Sequence, residues 1–287
     1  MRLFGSLSLV GMTSLVLAAA SSAQAIVLYD SFGFESSAGY EPNKFLDFQP
    51  ASAPVADQWV ASPTFPTGAV DSAATVPLAG VYEYPVLSAE NRQYVGVVNN
   101  DVPANNANFY NPQTNQVNPF TPAPTEGVVI GWSMNTSSSD LANNPFFGIV
   151  AFGSNGVIAQ AGINASTGEL LGSGLFTTVS PFTAAPDTFY NYELLLDYTT
   201  QTYSIFAAPT DAEELTLRAT GLFANLSTDF TDADIASFSV QPQSGLPYSG
   251  FAQFDFYFVE TVTIPEPASL CLAIGACGLL GARRCRA

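Results

Sequence analysis

The chain has 287 residues, a net charge of −17 and a sequence pI of about 4.1. Charged residues make up 11%, against about 25% in ordinary soluble domains, so the acidity comes mainly from missing lysines. There is no histidine, and the three cysteines, Cys271, Cys277 and Cys285, all stand near the C-terminal end. Ser-His-Asp and Cys-His catalysis, a Cys/His zinc site and a disulfide are therefore excluded from the rest of the chain.

The first element is an export signal. Arg2 precedes an apolar run rich in Leu, Val, Met and Ala, and Ala23-Gln24-Ala25 supplies small residues at a cleavage site. This pattern predicts a signal peptide over 1–25, removed by signal peptidase after Ala25. The body, 26–263, is long enough for one large β domain. It holds 23 acids against Lys44, Arg92 and Arg218, a net charge of −20. Such a surface repels nucleic acid and anionic membranes.

The body reads as all-β, with no long amphipathic helix. Strands are expected at 26–32, 80–86, 93–99, 127–134, 146–153, 156–163, 169–176, 189–198, 201–208, 214–223 and 251–264. Each is rich in β-branched and aromatic residues and bounded by Gly, Asn, Asp or Pro. Between 99 and 127 lie eight asparagines and five prolines, which reads as a long loop without a buried strand. Phe109 and Tyr110 in it are candidate sugar contacts, with Trp59 as a further stacking surface. Trp132, inside a strand pattern, reads as core. Tight turns are expected at Ser154-Asn155-Gly156 and over Tyr198–Gln201. The stretch 231–238 reads as a capped single turn. Asp229, Asp232 and Asp234 beside it leave two readings open, a calcium site or solvated acids at a cap. In the last strand, alternation puts Phe254, Phe256 and Phe258 on one face and Asp255 and Tyr257 on the other. Many short strands without helices favour a β-sandwich or jelly roll.

The chain closes on Pro265-Glu266-Pro267, an uncharged run from Ala268 to Ala282, and Arg283, Arg284 and Arg286. As a helix that run would span roughly 22 Å, short against a bilayer core of about 30 Å. It reads as one short C-terminal transmembrane helix whose arginines stay in the cytoplasm. The prolines expose an extended segment beside it. Motif, helix and arginine cluster, in this order at 264–287, resemble the PEP-CTERM sorting signal. The resemblance implies recognition by exosortase, transfer of the body to the cell surface or extracellular matrix, and an association with exopolysaccharide. An uncut membrane anchor is the alternative.

The opening "LYDSFGFE", the hairpin "FYNYELLLDYTTQTYSIF" and the closing "FAQFDFYFVE" resemble the concanavalin A-like, laminin G-type jelly roll. That resemblance implies pairing of the first and last strands. Glucanases of this class carry E-x-D-x-x-E or E-x-D-x-E on one strand. The nearest stretch here, Gln253 to Tyr257, keeps Asp255 and lacks both glutamates. Other carboxylate pairs, such as Glu193 with Asp197, stay open. The expected function is a non-enzymatic, exported, surface-sorted matrix protein that binds polysaccharide, with calcium as the one cofactor under consideration. The alternative is a structural or adhesive protein without a ligand site, and a glycoside hydrolase ranks below both.

Overall fold

The computed structural model describes residues 25–31, 34, 38–40, 44–46, 50, 59–64, 78–83, 93–102, 107–112, 120–139, 141–175, 177–241 and 246–264. These residues form sixteen strands. The first eight are β1 (Val27–Asp30), β2 (Lys44–Phe45), β3 (Trp59–Thr64), β4 (Leu78–Glu83), β5 (Gln93–Val102), β6 (Ala107–Pro112), β7 (Glu126–Thr136) and β8 (Pro145–Gly153). The rest are β9 (Gly156–Asn164), β10 (Glu169–Ser173), β11 (Thr177–Thr183), β12 (Tyr190–Asp197), β13 (Thr202–Pro209), β14 (Thr216–Leu222), β15 (Asp232–Ser239) and β16 (Tyr248–Thr263). No α-helix occurs among the described residues.

Two antiparallel sheets make a β-sandwich. The larger, of nine strands, runs β14-β13-β12-β7-β16-β5-β4-β2, with β1 also on β16; the smaller, of seven, runs β11-β10-β9-β8-β15-β6-β3. Alternation along the strands supplies one apolar face to each sheet. Val128, Ile130, Trp132 and Met134 of β7 meet Ile149, Ile163 and Ile235 of the smaller sheet in one buried cluster. Each such side chain contributes about 1.5–3 kcal/mol through burial. On one side the sheets are tied by Leu175 N donating to Leu222 O at 3.1 Å and Ser180 Oγ donating to Arg218 O at 3.0 Å.

Local chemistry explains the hairpins. Gly156, at φ 101°, closes the two-residue loop between β8 and β9, where Gly153 faces Gly156. Asp197 organises the turn from β12 into β13, its carboxylate accepting from the backbone N–H groups of Thr199 at 2.8 Å and Thr200 at 3.1 Å.

The first and last strands pair, as the jelly-roll resemblance implied: Val27 faces Glu260 and Asp30 faces Phe258. β16 is long enough to need two partners on that side, β5 along Tyr248–Phe254 and β1 along Phe258–Glu260. Where one partner gives way to the other, Asp255 is an extra residue. Phe254 faces Met134 of β7 while Phe256 already faces Ser133. This is a β-bulge, and it reverses the inside–outside phase of everything after it.

Three expectations are corrected. Phe254, Phe256 and Phe258 do not share a face. Phe254 and Tyr257 are fully buried, whereas Phe256 and Phe258 are half-buried on the outer face. The stretch 99–127 is not one loop, because β6 lies inside it between β15 and β3. Asn108 is buried there without penalty, its side-chain amide donating to Tyr248 Oη at 2.9 Å. The stretch 231–238 is not a turn but most of β15, flanked by β8 and β6.

Candidate functional site

The residues singled out from the sequence do not converge. Trp59 is fully buried; its Nε1 donates to Tyr40 Oη at 3.0 Å, and its ring packs edge-on against Tyr29 at 5.7 Å and Tyr257 at 5.4 Å. Tyr110 is buried in the same core. Neither presents a surface to a sugar, and both are corrected to core residues. Phe109, one residue out of phase with Tyr110, is half-buried on the outer side of the smaller sheet against Phe152 at 5.9 Å.

The aspartate trio is divided by its backbone. Asp229 accepts from Ser154 Oγ and from Ser154 N at 3.1 Å, holding the β8–β9 turn. Asp232 and Asp234 project from β15 opposite Phe152 and Val150 and are buried. Among the described residues no three carboxylates form a group that could hold a metal ion, so the calcium reading loses its geometry. Pro265, Glu266, Pro267, Arg283, Arg284 and Arg286 lie outside the described residues, as does residues 1–24 of the export signal. Among the described residues no helix is long and apolar enough to cross a membrane.

A different site emerges on the outer face of the nine-stranded sheet. Phe256 and Phe258 lie stacked there, with centroids 5.4 Å apart and planes at 17°. The Phe258 ring rests over Gly131 of β7, where an added Cβ would meet it at 2.0 Å. Only glycine at 131 lets the ring lie against the backbone. Glu193 of β12 faces Gly131 from the other side, and Asn191 faces Ser133, which also faces Phe256. Asn191, Glu193, Pro209, Glu213, Glu214 and Phe256 are among the residues lining a cleft of about 160 Å³. That is smaller than a cavity able to enclose a drug-sized molecule, so a ligand would lie along the face.

Glu193 is half-buried. Burial, and then the negative charge of Glu260, hold its carboxyl above the usual carboxylate range. Glu260 faces Val129 of β7, and Leu195 of β12 faces the same residue. The two glutamates thus stand on one face across a single intervening strand. Sequence reasoning raised Glu193 but matched it with Asp197, which is committed to its turn. It missed Phe256 and Phe258 as a surface pair because strict alternation groups them with Phe254, and only the bulge turns them to the outer face.

No family model and no curated protein matches the chain. Solved structures do resemble it. An endo-1,3-beta-glucanase from Streptomyces sioyaensis aligns at 11% identity and a TM-score of 0.47, covering 86% of this chain and 99% of that one. Lectin I from Ulex europaeus aligns at 6% identity and 0.40, covering 71% and 98%. A sialidase aligns at 8% and 0.41 over 64% of this chain, which spans only 16% of the sialidase's length. These likenesses stand at the level of the all-β architecture and transfer no ligand or activity. They do correct the expectation of a non-enzyme. Hydrolases and a lectin both stand among the similar structures.

Proposed function

We propose that the chain is a polysaccharide-binding protein of the cell surface or extracellular matrix, with a concanavalin A-like jelly-roll body exported by residues 1–25 and sorted by exosortase through 264–287. The observation that carries the binding reading is the stacked Phe256/Phe258 pair beside the cleft with Asn191 and Glu193. Sugars have an apolar ring face and a rim of hydroxyls. Flat aromatic side chains next to amide and carboxylate groups match both. The cleft also lies away from the last described residues of β16. From Val262 to Phe256 is six strand steps, or about 20 Å, so a body tethered by its C-terminal tail would still present this face to a polymer outside.

The test is a polysaccharide array probed with the full-length chain, unaltered and with Phe256→Ala and Phe258→Ala together. Retention on at least one polymer that the double variant loses is the expected result. Equal retention would remove the face from the reading. For the tail, replacing Pro265 and Glu266 should leave an unprocessed membrane-held form. Residues 268–287 found by mass spectrometry on the unaltered surface protein would overturn the sorting proposal.

One observation favours a second reading, glycoside hydrolysis. Glu193 and Glu260 share a face, and the charge of one raises the proton affinity of the other. A carboxyl whose proton is held beside a second carboxylate is what a general acid and its partner require. Reducing-sugar release by the unaltered chain, lost in Glu193→Gln, would establish it. No release from any polymer that the protein binds would dismiss it.

A further inference from the structure

The ligand face has a charge pattern that the sugar-binding reading leaves unused. Glu193 and Glu260 lie on the face, and Glu213 and Glu214 are exposed at the rim of its cleft. The strands that carry it, β7, β12 and β16, contain no lysine or arginine. Arg218 of β14 is occupied at the sandwich edge, where its Nε donates to Ala207 O at 3.0 Å and its guanidinium sits 4.8 Å from the centre of the Phe182 ring. Lys44 is on β2, three strands beyond β16.

Each class of occupant meets this pattern differently. A neutral sugar pressed onto Phe256 and Phe258 would strip water from Glu193 and Glu260 and return no countercharge. An acidic polymer would be repelled, and so would a second copy of the chain presenting the same carboxylates. An ammonium group offsets the desolvation with a charge-assisted hydrogen bond. Resting on the sugar-binding reading above, we infer that this face docks a cationic glycan, a polymer of amino sugars with free amines. Its ring faces lie on Phe256 and Phe258 and its amines point to Glu193 and Glu260. Burial of Glu193 and the neighbouring charge of Glu260 agree with such an occupant, because a cation between the two carboxylates relieves their repulsion.

The test is calorimetric titration of the full-length chain with four oligomers of equal length: glucosamine, N-acetylglucosamine, neutral β-glucan and uronate. The free-amine oligomer should bind at least about tenfold more tightly than its acetylated counterpart and lose that advantage in high salt. Glu193→Gln combined with Glu260→Gln should erase the preference while the circular dichroism spectrum stays unchanged. The salt response of the unaltered chain is a second readout that does not depend on the variant folding. Equal binding of acetylated and free-amine oligomers, or preference for uronate, overturns the inference and leaves sugar binding standing. No binding of any oligomer overturns both.

Discussion

Two aromatic sets flank β16, and they are made of different residues. On the inner side Tyr257 joins Tyr29, Tyr40 and Trp59, where rings meet at angles and polar tips are satisfied. Tyr29 and Tyr40 share a hydrogen bond at 3.0 Å, and Tyr257 Oη donates to Ala233 O at 2.6 Å across the sandwich. On the outer side Phe256 and Phe258 lie parallel, with no polar atom to place. Buried rings with a hydroxyl or an indole N–H must find partners, and they lock neighbouring strands in doing so. Exposed rings without one stay available to a ligand. The inner set is a structural device and the outer set a surface, although all lie within a residue or two of one another in sequence or packing.

The bulge separates the two sets, so removing it is the harshest disturbance. Deleting Asp255 restores strict alternation and drives either the stretch before it or the stretch after it onto the wrong face. The expected loss exceeds about 4 kcal/mol, read as failure to accumulate or as a collapsed urea midpoint. A deletion variant with an unchanged midpoint would mean that the two aromatic sets are interchangeable.

Single truncations sharpen the contrast. Trp59→Ala should cost about 3–5 kcal/mol, as expected for a large ring removed from a closed core, with sugar retention intact at temperatures where the variant is folded. Phe256→Ala should cost only about 1 kcal/mol, since the ring is half-buried, yet it should weaken polymer retention. Urea unfolding and array binding measured side by side would show whether stability and binding divide between the two sides of β16 in this way.

Alkaline pH should attack the buried phenols, the inner set among them, and leave the outer phenylalanines without a titrating group. Burial pushes the Tyr40 phenol up to about 12 and those of Tyr29, Tyr248 and Tyr257 higher. For Tyr257 the charges of Asp232 and Asp234 add to burial. Their unfolded values lie near 10, so above that pH the unfolded chain releases protons that the folded chain retains. Stability is therefore full below pH of about 10 and falls as pH rises past it. The melting temperature should drop there, and the share of tyrosinate absorbance that belongs to the buried phenols should appear together with unfolding. Tyrosinate absorbance that reaches its full amplitude while the protein is still folded would contradict the burial of this cluster.

What could be read in advance follows the same division between local and distant causes. The β8–β9 and β12–β13 hairpins were legible because Asn155-Gly156 and the short stretch Tyr198–Gln201 sit between strand-forming runs. β15 and β6 were not. Asp232 and Asp234 suggested a cap, and only their neighbours β8 and β6 make that segment a central strand. Asn108 looked unburiable until Tyr248, 140 residues away, supplied its partner. The outer phenylalanines were hidden by one extra residue whose position is set by the exchange of partners from β5 to β1, an event no window of sequence contains.

The smallest effect tests the outer face most directly. The Glu193 carboxyl is held above its ordinary range by burial and by Glu260, so the folded state binds its proton more tightly than the unfolded state. Its ionised form therefore costs stability at neutral pH, and that cost disappears as pH falls until the group is protonated in both states. Glu193→Gln removes the charge while keeping the shape. It should raise the melting temperature at pH 7 by about 1–3 °C, and the gain should shrink as pH falls through the raised value and be gone below the ordinary glutamate range. High salt should reduce the gain at pH 7 by screening Glu260, leaving the part due to burial. A variant that melts lower than the unaltered chain at pH 7 would mean that the Glu193 carboxylate is held by a stabilising partner, and the face would then lack the unneutralised charge on which docking of an amine depends.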